Sequence, residues 1–439
     1  MKLGLVSALA LAAAMWTVPS LAKDVTVRML YIGDTKAYNE ILQGSADAFM
    51  AAHPGVKVVL QPMENEALKA KLPTMLQSNE PPDIFTSWGG GVMLAHEQAG
   101  YLADVSAEKD NLAKIAVPSA ISAFQVGGKQ VGLATDLSLV SLYVNKPLLA
   151  KAGVSLDDLK TWDGFKAAIA KLKAAGVTPL LTSGKDEWPL QFYLGYLLLR
   201  EGGGDAVANL KKDGFNSPAF IAAAKELQAL GKLQPFQDGW LSKTWPDSAG
   251  QFGDGGGAMY LMGNWILAQQ AQDAKDGKGI APADLAIVPF PSGVPGGKGA
   301  GTETLGGIAG YELNKNAPPE AVQFLEFWGS RDQQKKIAEA GLNIPSAIGP
   351  TRTSRIPCCS LWQSRSPGRP STRTSSTRIW GRMWAACSTT SRPPSPRAPR
   401  HWRKPPRLCK RPTTTANRPN PIAAPRPVQA GAPHKDSFP

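Results

Sequence analysis

Residues 25–60 read VTVRMLYIGDTKAYNEILQGSADAFMAAHPGVKVVL, and this stretch decides the fold. Val25 to Ile32 is β-rich, Gly33-Asp34 breaks it, and Tyr38, Leu42, Ser45, Phe49 and Ala52 then fall on one face of a helix. Pro54-Gly55 ends that helix before a second strand, Val56 to Leu60. Leu68, Leu72, Met75 and Leu76 mark another amphipathic helix, which Pro73 is expected to kink. Pro81-Pro82 leads into Asp83 to Trp88, a short apolar strand closed by Gly89, Gly90 and Gly91. Strand, helix, strand, helix, strand predicts a parallel sheet with right-handed crossovers, hence an α/β protein.

Further along, Val131 to Asn145 is an extended run interrupted by Asp136, and helices follow over residues 157–160, 162–175 and 189–200. Strands are predicted at Leu285 to Phe290 and Gly306 to Leu313, with a helix carrying Ala321, Phe324, Leu325 and Trp328. A chain of 439 residues exceeds what one core usually organises, so two domains are expected.

The two ends read differently. Lys2, an apolar run from Leu3 to Met15, and Pro19-Ser-Leu-Ala22 have the grammar of a signal peptide over residues 1–22, with the mature chain starting near Lys23 and exported to a periplasm. Residues 351–439 hold 18 of the 48 Lys and Arg but only one of the 35 acids, Asp436, so 30 basic and 34 acidic residues precede them. The net charge of +13 therefore belongs to the tail, and a nucleic-acid partner is not expected. All four cysteines lie there too. Restarting each codon at its third nucleotide forces Trp380-Gly381 to Gly and Met383-Trp384 to Val, and with ordinary codon choices Thr372 to Ser391 then reads as an acidic and apolar stretch. The expectation is a frameshift near Pro350 and, as printed, a disordered tail.

These pieces together resemble the periplasmic sugar-binding proteins of ABC importers. The resemblance rests on GDTKAYNEIL, DIFTSWGGG, ATDLSLVSLYVNKPLL, TWDGF, KDEWPL, GGGAMYLMGNW, VPFP and GLNIPSAIG, in that order between about Val25 and Ile348. It implies two α/β lobes: residues 23–132 and 287–328 in the first, 133–286 and 329–350 in the second. Crossings are expected at 132–136, 287–291 and near 328–332, with a cleft between the lobes. It also implies a monomer that hands a carbohydrate to ABC permease subunits.

A pyranose offers hydroxyls at its edge and C–H patches on its faces, so flat indoles and fixed carboxylates suit it. In an open parallel sheet, ligands sit beyond the carboxyl ends of the strands, which puts Asp34 and Trp88 on one rim. The candidate contacts are Asp34, Lys36, Trp88, Gly89, Asp136, Glu187, Trp188, Trp240, Asn264, Trp265 and Glu303. Against this, Asp34 reads equally as a helix cap and Lys36 as a surface charge, Trp88 as a core indole, and Asp136 as a brace of the crossover. Trp162 reads as structural. No cofactor or metal is expected, because His53 and His96 are the only histidines before the tail and neither has ligand spacing. A glycosidase built on two of Asp34, Asp136, Glu187 and Glu303, or a binder of a polyol, glycerol phosphate or polyamine, are the competing classes.

Overall fold

The computed structural model describes residues 24–348. The expected signal peptide and the basic, cysteine-bearing tail with its alternate frame lie outside the described residues.

The first strand, β1 (Val25–Ile32), pairs in parallel with β2 (Val56–Met63) and with β3 (Ile84–Ser87). Met29, Leu30 and Tyr31 are buried in succession, as happens when helices cover both faces of a parallel sheet. The connecting helix α1 (Lys36–Ala52) buries Leu42, Ser45, Ala46 and Phe49, the face expected from its spacing. Helix α2 (Asn65–Leu76) runs on through Pro73, whose ring nitrogen cannot bond the Lys69 carbonyl one turn back. Glu64 caps it by accepting the Ala67 N–H at 2.9 Å. A short helix, α3 (Gly90–Gln98), follows β3.

The central strand β4 (Gly132–Asn145) is fourteen residues long and serves two sheets. Its first half pairs with β8 (Gly306–Leu313), and Asp136 and Leu137 also pair with β9 (Ile344–Pro345). The second half pairs with β6 (Met259–Gly263) and with β7 (Leu285–Val288), and β5 (Leu180–Leu181) extends that side in parallel with β6. Asp136 does not interrupt the strand, contrary to the expectation from its charge. The register against β8 shifts between Ala309 and Gly310, which leaves Thr135 of β4 as the extra residue of a bulge next to it.

Two lobes follow from this sharing. One core gathers Val27, Leu30, Phe49, Phe85, Leu133, Tyr311, Phe324 and Trp328. Ile337 of helix α9 (Arg331–Glu339) and Leu342 join that same core, together with α8 (Pro319–Gly329). In the other lobe β4 alternates its side chains across the sheet. Leu142 and Val144 pack with α4 (Trp162–Ala174), α5 (Trp188–Ala208) and Phe290, whereas Tyr143 packs with α6 (Trp245–Gly253) and α7 (Ile266–Asp273). Phe290 and Val294 still belong to this lobe, so the chain re-enters the first core only at β8.

Candidate ligand cleft

Trp88 is the first residue past β3, and the turn that carries it is fixed from behind. Ser87 donates its hydroxyl to Glu312 and accepts the Gly89 N–H at 3.2 Å. Glu312, fully buried, also meets His96 Nδ1 at 2.6 Å. Gly89 has φ +66°, and a β-carbon there would stand 3.0 Å from the Ala123 carbonyl oxygen, so the turn needs glycine on both counts.

From the other lobe, Trp188 opens α5 after a turn in which Glu187 takes a left-handed φ of 61°. Its ring centroid lies 6.2 Å from Trp265, 6.1 Å from Trp245 and 5.7 Å from Phe192, forming an aromatic cluster at the lobe's edge. Trp265 follows β6, and its six-membered ring lies close over Gly263, where a β-carbon would come within 2.0 Å. Trp88, Trp188 and Trp265 are all half-buried.

Among the described residues, polar contacts join the lobes across the gap. Trp188 Nε1 donates to Glu66 Oε1 at 2.9 Å, Gln272 Nε2 donates to the Asp34 carbonyl at 2.8 Å, and the Lys36 N–H donates to Gln272 Oε1 at 2.9 Å. The Lys69 ammonium stands 5.4 Å from the Trp88 ring centroid and 5.6 Å from that of Trp188. One side chain thus lies between indoles contributed by opposite lobes.

The electrostatics are acidic. Burial, then the Glu64 charge, pushes the Asp34 carboxyl up to about 6, while the Asn65 N–H bonded at 3.2 Å opposes the shift. Asp186 is pushed up by burial and by Glu66 and Glu64, against the Trp245 N–H that it accepts. Burial alone raises Asp136 to about 7, and its Oδ1 has neither solvent access nor a hydrogen-bond partner. Burial, with a smaller push from the same carboxyl, raises the phenol of Tyr38, whose hydroxyl lies 2.7 Å from that of Tyr311.

Of the residues expected from sequence, the structure therefore brings together Trp88, Trp188 and Trp265, with Asp34 and the Lys36 backbone at the interlobe contact. The Lys36 side chain points to Glu40 on the exposed face of α1. Glu187 is exposed beside Trp188. Asn264 is spent on β4, accepting the Leu139 N–H on Oδ1 at 3.0 Å and giving its own N–H back to the Leu139 carbonyl at 3.1 Å. Glu303 accepts from buried Arg200 at 3.4 Å and from the Ala300 N–H at 2.7 Å. Trp240 packs on Phe236 at 5.2 Å, apart from the cluster. Sequence reasoning singled out none of Glu66, Lys69, Asp186 and Gln272, although Asp186 lies within the KDEWPL stretch. Among the described residues no group of His, Cys, Asp or Glu is arranged to hold a metal ion.

A strand shared by two α/β lobes, with aromatic and acidic side chains facing each other across the gap, defines a two-lobed solute-binding protein of the periplasmic type. The chain belongs to the bacterial extracellular solute-binding protein family, whose model matches residues 33–335. It is similar to an uncharacterized ABC transporter extracellular-binding protein of Pyrococcus horikoshii, 27% identical over 60% of this chain and 59% of that one. A probable sugar-binding periplasmic protein of Mesorhizobium japonicum is 28% identical over 41% of this chain and 44% of its own. The match thus spans about half the length of these curated relatives. A solved structure from work on xylan utilization by Caldanaerobius polysaccharolyticus superposes with a TM-score of 0.67 at 27% identity, covering 74% of this chain and 82% of that one. No helix among the described residues is long and apolar enough to cross a membrane.

Proposed function

We propose that this protein is the soluble carbohydrate-binding component of an ABC importer, closing on a mono- or oligosaccharide and presenting it to membrane permease subunits without transforming it. The observation that carries the reading is Trp88 of one lobe and Trp188 of the other both lying within 5.6 Å of the Lys69 ammonium, with Trp265 6.2 Å from Trp188. Stacking platforms on opposite lobes mean that a sugar gains its second face of contact only when the lobes approach. Ligand affinity then differs between open and closed states, which is what shifts the population toward closure. Asp34 and Glu187 supply hydroxyl partners around the edge, and Gly89 shapes the turn that carries Trp88. Export to a periplasm and a monomeric state complete the proposal.

The relatives' names support a sugar over a polyol or a glycerol phosphate, and the acidic rim disfavours an anion. Of the four carboxylates a glycosidase could use, Glu303 is tied to Arg200 and Asp136 has a buried Oδ1, which weighs against a free acid and base pair. A thermal-shift screen of the chain freed of residues 1–22 tests the reading: a bound sugar raises the melting temperature in proportion to log concentration above Kd. No shift with any mono- or oligosaccharide, or release of reducing sugar from one, would overturn it.

A further inference from the structure

The slot between Trp88 and Trp188 is occupied by the protein's own cation. The Lys69 ammonium sits within 5.6 Å of both ring centroids and 2.8 Å from Glu66 Oε1. Two indoles and a carboxylate around an alkylammonium are the ingredients of an aromatic cage, which selects cations through the negative ring faces. The surrounding charge has the same bias. Burial comes first for both carboxyls, but Asp34 is raised further by Glu64, Asp273 and Glu66, and Asp186 by Glu66 and Glu64, with Lys185 as the opposing charge on Asp186.

A ligand that stacks between these indoles must displace Lys69. If the incoming sugar is uncharged, the carboxylates lose their counter-charge as the gap closes and water leaves, and burying unpaired charge is costly. If the sugar carries a protonated amine, one ammonium replaces another and the pairing with Glu66 survives. We propose that the cleft takes an amino sugar, whose protonated amine occupies the position of the Lys69 ammonium beside Glu66. This narrows the carbohydrate reading above and rests on it. Uronates and sugar phosphates are rejected by the same field.

Isothermal titration calorimetry with matched ligands tests it: glucose with glucosamine, galactose with galactosamine, mannose with mannosamine, and cellobiose with its diamino analogue, each beside the N-acetylated form as an uncharged control. In whichever series binds, the amine should bind about ten-fold tighter or more than its hydroxyl and N-acetyl counterparts, as expected for one charge-assisted contact. Lys69→Met, which keeps the apolar stem and removes the internal competitor, should tighten the amine several-fold. Glu66→Gln should erase the ratio between amine and hydroxyl, whatever it does to the affinity for either alone. Equal or weaker binding of the amine overturns the inference and leaves the carbohydrate reading intact. Failure of every sugar overturns both.

Discussion

Trp188 and Glu66, 122 positions apart, are joined by an indole N–H to carboxylate hydrogen bond of 2.9 Å, and the accepting Oε1 also receives Lys69 Nζ at 2.8 Å and Asn65 Nδ2 at 2.6 Å. One oxygen therefore ties the second lobe to the face of α2. Replacing Trp188 with Phe keeps a ring and removes the donor, so the unliganded protein should open. Small-angle X-ray scattering should record a larger radius of gyration for Trp188→Phe than for wild type. An unchanged radius would show that this bond does not hold the lobes together.

The stacking surfaces should dominate affinity. Trp88→Ala and Trp265→Ala should each cost about 1–3 kcal/mol of binding, the range measured for aromatic rings stacked on flat nucleic-acid bases. A subtler probe is Gly263→Ala, whose new methyl must push the Trp265 ring away. Calorimetry should show it weakening binding without the loss of folding that a core substitution brings.

Asp136 makes stability depend on pH. Its carboxyl is raised from the ordinary 3.8 to about 7 in the folded protein, so the folded state holds a proton that the unfolded state has released. Stability from this group is full below about pH 4 and is lost as pH rises through 7, since the unfolded state binds fewer protons over that window. Asp34, raised to about 6, acts in the same direction. Asp136→Asn should flatten the fall in melting temperature between pH 4 and 8 and be the more stable protein at pH 8. A wild-type melting temperature that climbs over this window would contradict the assignment.

Trp162 was expected to be structural, and it is fully buried, stacked on Phe165 and Phe290, with Nε1 bonded to Glu226 at 2.6 Å. Trp162→Ala should destabilise the protein by about 3–5 kcal/mol through the cavity it leaves. Urea denaturation measures this, and the variant that remains folded should bind ligand as wild type does.

Much of the scaffold was legible because apolar spacing reports burial directly. The α1 face of Leu42, Ser45 and Phe49 and the strand Gly306–Leu313 appear where their periodicity put them. The division of β4 between two sheets was not legible, since an extended run looks the same whichever neighbours its backbone groups find. Asp136 stood out as a charge in an apolar run, yet the bulge beside it, at Thr135 of the same strand, left no local sign because it depends on the register against β8. Glu66 and Lys69 escaped notice for a different reason: an i,i+3 pair of opposite charges on an amphipathic helix reads as solvated. Only the approach of the second lobe gives them aromatic neighbours.

The sharing of β4 also limits how the molecule can breathe. Backbone hydrogen bonds grip this strand on both sides of Leu139, and Asn264 clamps Leu139 itself at the changeover. A free swivel at one residue would break ladder bonds in one sheet or the other. The lobes must instead part by distributing a small twist along several peptide units, so that the strand behaves as a torsion spring whose stiffness sets how far the mouth gapes.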